Sequence, residues 1–144
     1  MTPAPSKATG RVMLRGSCLC GGVTYQAAGP LTFVTRCHCG QCRKAAGAEF
    51  ATNASVSRAT FQLLSGSELL KEYESSPGNF RVFCGRCGSP LFKRSDGRPG
   101  VVRLRLGSLD CEIDERPSAH LYVARKPAWS EIHDDLPRYE THPG

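Results

Sequence analysis

Seven of the chain's eight cysteines fall in three tight groups. Cys18 and Cys20 form C-x-C in "SCLCGG", and Cys84 and Cys87 form C-x-x-C in "FCGRCGS". Between them, Cys37, Cys39 and Cys42 form C-x-C-x-x-C in "TRCHCGQC". Such short spacing lets neighbouring thiolates point at one ion from a tight turn. In a reducing compartment, spaced cysteines bind metal more often than they form disulfides. Gly85, Gly88, Gly21 and Gly22 supply the permissive backbone that such turns use. A structural zinc takes four ligands. Cys84 and Cys87 provide two, and Cys18 and Cys20 can provide the others. Cys37, Cys39 and Cys42 then form a separate group. Three protein ligands with an open fourth position are the pattern of a catalytic zinc. Water, a carbonyl oxygen or a substrate thiolate could take that position.

Other assignments stay open at this level. Cys84 and Cys87 could share an ion with two of the middle three, which frees Cys18 and Cys20. Either pair could instead be buried or redox-active thiols. The middle group could be closed by Cys111, His38, His120 or His133. Cys111, alone in "LDCEID", otherwise reads as a small buried apolar residue. Arg36, Arg43 and Lys44 flank the middle group and could attract carboxylates, or form a solvated basic rim. His120 in "SAHLYV" could line a pocket or shuttle protons, or be a satisfied partner in the fold. Trp129 in "KPAW" could cover a pocket or pack in the core.

These residues need a scaffold that brings distant turns together. The chain reads as short strands punctuated by Gly, Pro and Ser, including "RVMLRGS", "VTYQAA", "NFRVF", "PLFKR" and "VVRLRLGSL". In the last, Val102, Leu104 and Leu106 alternate with Arg103 and Arg105. "GQCRKAA" contains good helix formers and is expected to make one or two helical turns. The fold class is therefore mainly β: several small antiparallel sheets with short helical turns, stapled by metal. At 144 residues the chain fits one domain. Its expected extent is 11–140, with tails at 1–10 and 141–144.

Hydrophobic residues make up 40% and charged residues 22%, as in globular proteins. No apolar run is long enough to span a membrane. The opening "MTPAPSKATGRVMLRG" lacks the apolar core of a signal peptide, so a cytoplasmic location is expected. The net charge of +6 suits an anionic partner. No block of five basic residues occurs, which weighs against nucleic acid.

The motifs "GSCLCGGVTY", "CHCGQCRKAAGAEF", "RVFCGRCGSPLF", "GSLD", "SAHLYV" and "PAW" follow one another along nearly the whole chain. In that order they resemble the glutathione-dependent formaldehyde-activating enzymes, or S-(hydroxymethyl)glutathione synthases, whose domain is shared with centromere protein V. The resemblance implies coiled β-sheets around zinc, similar to the methionine sulfoxide reductase B fold. It implies a structural zinc on Cys18, Cys20, Cys84 and Cys87, and a second on Cys37, Cys39 and Cys42. It also implies a carbon–sulfur lyase joining a small thiol, glutathione in the family, to formaldehyde. Two further readings compete: a zinc-stapled module binding nucleic acid or protein, and a thiol redox or metal-buffer protein.

Overall fold

The structure is a computed structural model and describes residues 6–8 and 11–143. It is mainly β, with eleven strands among the described residues: β1 Ser6–Ala8, β2 Arg11–Ser17, β3 Thr24–Ala28, β4 Thr32–Cys37, β5 Ala51–Ser57, β6 Gln62–Ser65, β7 Leu70–Ser76, β8 Asn79–Cys84, β9 Pro90–Ser95, β10 Val101–Arg105 and β11 Ala119–Leu121. One α-helix, α1, spans Gly40–Ala46, and the remaining helical pieces are single 3₁₀ turns. Of the expected N-terminal tail, Met1–Pro5, Thr9 and Gly10 lie outside the described residues, while Ser6–Ala8 pair with β2. At the other end, Gly144 lies outside them, and the Tyr122 amide donates to the Thr141 carbonyl.

The strands form a four-stranded sheet, β1-β2-β3-β6, and a seven-stranded sheet, β11-β4-β5-β10-β9-β8-β7. All named pairs are antiparallel except β11 with β4. Register decides what each face carries, because residues directly opposite share a face. Val102 pairs with Val56, and Leu104 with Ala54 and Phe92. Phe92 in turn pairs with Val82. This apolar face packs on Leu14, Tyr25 and Ala27 from the smaller sheet, and on Val23 just before β3, to make the main core. Phe61 bridges the layers, its ring 5.4 Å from Tyr25 and 4.8 Å from Phe92.

The opposite face of the large sheet is polar. Arg81 pairs with Lys93, Lys93 with Arg103, and Arg103 with Ser55. One step along, Arg105 pairs with Asn53 and Asn53 with Thr35. Four cations therefore share one face of adjoining strands. Cys37 pairs with Ala51, two residues beyond the Thr35–Asn53 pair, and so lies on that same face. The alternation in "VVRLRLGSL" is real. Its arginine side nevertheless faces a covered interior: Arg105 is only 5% exposed.

Candidate metal centres

Cys18 and Cys20 lie just past β2, Cys84 ends β8, and Cys87 sits in the turn before β9. The two stretches are knuckles of one design. The Gly21 amide donates to the Cys18 carbonyl and the Gly88 amide to the Cys84 carbonyl, at 3.0 and 2.8 Å. Gly21 and Gly88 have φ of 78° and 82°, which side-chain-bearing residues rarely adopt. The four sulfurs lie within 4.8 Å of one another. Cys18 Sγ is 3.5 Å from Cys20 Sγ, which is 3.9 Å from Cys84 Sγ. A tetrahedral ion with bonds of about 2.3 Å to sulfur spaces its ligands about 3.8 Å apart. Donors surround the sulfurs: Val23 N–H reaches Cys18 Sγ, Arg86 N–H reaches Cys84 Sγ, and Arg86 Nε reaches Cys20 Sγ at 3.3 Å. The Cys20 thiol is held below its ordinary range, first by the Gly22 backbone amide and then by Arg86. The Ser89 hydroxyl and amide bring Cys87 down to about 5. This is the donor set of a closed thiolate site.

Cys37, Cys39 and Cys42 form the second cluster, their sulfurs also within 4.8 Å. Cys37 ends β4, Cys39 caps α1 by accepting from the Cys42 amide, and Cys42 lies in the first turn. The end of β4 and the start of α1 thus gather the three sulfurs. Among the described residues, no fourth Cys, His, Asp or Glu joins the cluster. Cys111 packs against the main core, and His133 is exposed beside Glu131. His38 lies between two of the cysteines, but its Nε2 is 2.8 Å from His120 Nδ1. Neighbouring thiols sharing a proton push Cys37 up and Cys42 down, and Lys93 and Arg81 further favour the Cys42 thiolate.

A cavity of about 310 Å³ opens beside Cys37 and Cys42. Lys93, Arg98 and Arg103 line it, with Thr35 and Asn53. Burial lowers the basicity of Lys93, and lowers that of Arg103 to about 10, so the arginine keeps its charge at neutral pH. Arg81 donates to Cys42 Sγ at 3.9 Å and to Gln41 Oε1 at 3.5 Å. Its Nε and Nη1, and Arg105 Nη2, are buried without a protein partner. Their positive charge complements the Cys42 thiolate.

Behind the three cysteines runs a buried polar chain. His38 and His120 are 1% and 2% exposed. His120 Nε2 lies 3.0 Å from both oxygens of Asp134, which accept from the Leu136 amide and from Arg36. The carboxylate fixes the His120 Nε2–H tautomer, leaving Nδ1 to accept from His38. His120 thus backs the C-x-C segment through His38 and is not among the residues that line the cavity. Arg36 is turned to Asp134 and the Phe50 ring. Arg43, Lys44 and Trp129 meet at a separate shallow surface pocket, and Trp129 is 67% exposed. Sequence proximity to the cysteines pointed to Arg36, Arg43 and Lys44, and the "KPAW" motif to Trp129. Strand register instead brings Arg81, Lys93, Arg103 and Arg105 to the site, and the signal for two of them was the alternation of β10.

Three comparisons bear on this arrangement. Residues 13–125 match the family model described as glutathione-dependent formaldehyde-activating enzyme. A Halomonas elongata protein named "Putative glutathione-dependent formaldehyde-activating enzyme" is 34% identical over 130 residues, covering 84% of this chain and 82% of its own. A crystal structure of a Rhodobacter sphaeroides protein aligns with TM-score 0.58 at 23% identity, over 72% of this chain and 97% of that one, a likeness of fold. The chain belongs to the glutathione-dependent formaldehyde-activating enzyme family.

Proposed function

We propose that this protein is a zinc-dependent carbon–sulfur lyase that forms or cleaves a thiol–aldehyde adduct. The observation that carries this reading is the three-thiolate cluster beside a cation-lined cavity, with no fourth side-chain ligand among the described residues. The family name supplies glutathione and formaldehyde as the substrate pair. Two zinc ions are assigned per chain, a structural one on Cys18, Cys20, Cys84 and Cys87 and a second on Cys37, Cys39 and Cys42. Cys37, Cys39 and Cys42 would hold the second zinc, which would supply Lewis acidity and lower the pKa of a substrate thiol.

The protein's own residues bind and orient. Lys93, Arg98 and Arg103 attract the substrate's carboxylates. The buried setting of Cys37 and Cys42 strengthens that attraction by lowering the local dielectric. His120 and Asp134 act through His38, holding the C-x-C segment in place. In the synthetic direction a carbon–sulfur bond forms, the carbonyl π pair moves to oxygen, and the thiol's proton ends on that oxygen. The reverse reaction breaks the bond, and neither direction needs an oxidant or reductant. So many thiolates suit a reducing, cytoplasmic setting. Inward-facing cations favour a small anion over a nucleic acid.

Metal counting with thiol titration tests the reading. Wild type should hold about two zinc per chain, and Cys37→Ser about one, with the fold kept and adduct formation lost. A single zinc in reduced, metal-replete wild type would sink the two-site assignment.

A further inference from the structure

Two residues other than glycine have positive φ among the described residues, Phe33 at 47° and Tyr122 at 57°. Both line the cavity beside Cys37 and Cys42. Bulky side chains in this region are outliers, and such strain concentrates at ligand sites. The cause at Phe33 is a β-bulge: Thr32 pairs with Ser55 and Thr35 with Asn53, so β4 carries one residue more than β5. Bulges of this kind commonly use glycine, and they re-aim a side chain. Here the bulge frees the Phe33 carbonyl, which accepts from Arg103 Nη1 at 2.6 Å, while the guanidinium lies 4.9 Å from the Phe33 ring centre. The His142 ring, 5.7 Å away, extends that wall. Tyr122 is held by its amide on the Thr141 carbonyl.

Building on the lyase reading, we infer that Phe33 and Tyr122 are specificity-determining residues. Their side chains line the cavity together with Lys93, Arg98 and Arg103, the last lying against the Phe33 ring. Together they select a thiol bearing two carboxylates over a neutral thiol. The rings pack against the apolar stem of the substrate while the cations take its carboxylates.

S-methylglutathione is a suitable probe, since it keeps both carboxylates but has no free thiol and cannot react. Its titration into zinc-loaded wild type, Phe33→Ala, Phe33→Gly and Phe33→Tyr proteins should give Kd values about tenfold weaker for Ala and Gly. Phe33→Tyr should bind as wild type does. Phe33→Gly should melt about 3 °C above Phe33→Ala, because only glycine sheds the backbone strain. Unchanged affinity in the Ala and Gly proteins would overturn the assignment of the rings. Arg98→Gln, on an exposed turn, supplies a variant that keeps the fold, with an expected loss of about fivefold. Full affinity there would overturn the cationic side. Failure of wild type to bind the probe refutes the dicarboxylate selection. The lyase reading is judged separately, by adduct formation in wild type and Cys37→Ser.

Discussion

His38 stands between two metal-site cysteines and gives its Nε2 to His120 instead. Burial, and then the neighbouring His120, depress its basicity to about 4. Between that value and the ordinary 6.5, the unfolded chain takes up a proton that the folded chain refuses. This contribution to stability is complete above pH 6.5 and is lost as the pH falls toward 4. The melting temperature should therefore drop more steeply across this window in wild type than in His38→Gln. Equal slopes would acquit His38. The cysteines themselves were readable in the sequence, because their spacing along the chain is the geometry of a turn. The roles of Lys93 and Arg81 were not, since each reaches the site only through strands paired far from it.

At the level of elements, β10 separates stability from binding. It lies between β5 and β9, so both of its edges are paired. Leu104 faces the main core and is fully buried. Leu104→Ala should cost about 2–4 kcal/mol in urea unfolding and leave S-methylglutathione affinity in the folded protein near wild type. Arg103 donates to the Phe33 carbonyl, Ser55 Oγ and Thr35 Oγ1. Arg103→Met should weaken binding of the probe at least tenfold. It should also cost about 1–3 kcal/mol for the acceptors left unpaired. If both variants moved stability alone, the polar face would be architecture without a binding role. The bounds of α1 coincide with "GQCRKAA", because helix propensity and the glycine just past its end are local signals. The interior position of the arginine face was hidden, because alternation reports that two faces differ, not what covers each. The parallel pairing of β11 with β4 was hidden as well, since it joins segments some eighty residues apart.

For the molecule as a whole, the four-cysteine cluster ties the end of β2 in the small sheet to the β8–β9 turn of the large one. The three-cysteine cluster closes only a loop and one helix. Metal removal should therefore proceed in two stages. Mild chelation should take about one zinc and abolish activity with little change in circular dichroism. Stripping the second should unfold the chain, because structural zinc binding is itself folding free energy. Cys84→Ser should behave like the fully stripped protein. Simultaneous loss of both ions with unfolding would contradict this division. The net charge of +6 also has a different meaning in three dimensions. Arg81, Lys93, Arg103 and Arg105 share the interior face of the large sheet, so part of the charge that suggested an external partner is spent inside.

The chain that backs His38 sets an order of events during synthesis. Cys87, the last ligand of the four-cysteine cluster, leaves the ribosome well before Asp134 and Tyr139, which hold His120 from beyond β11. All four sulfurs of the staple precede β10, β11 and the residues that hold His120 in the order of synthesis. The three-cysteine loop has all its sulfurs by residue 42, yet it gains its rigid backing only when the final residues emerge. A nascent chain would thus hold all four ligands of the staple before β10 and the backing of the three-cysteine loop are in place.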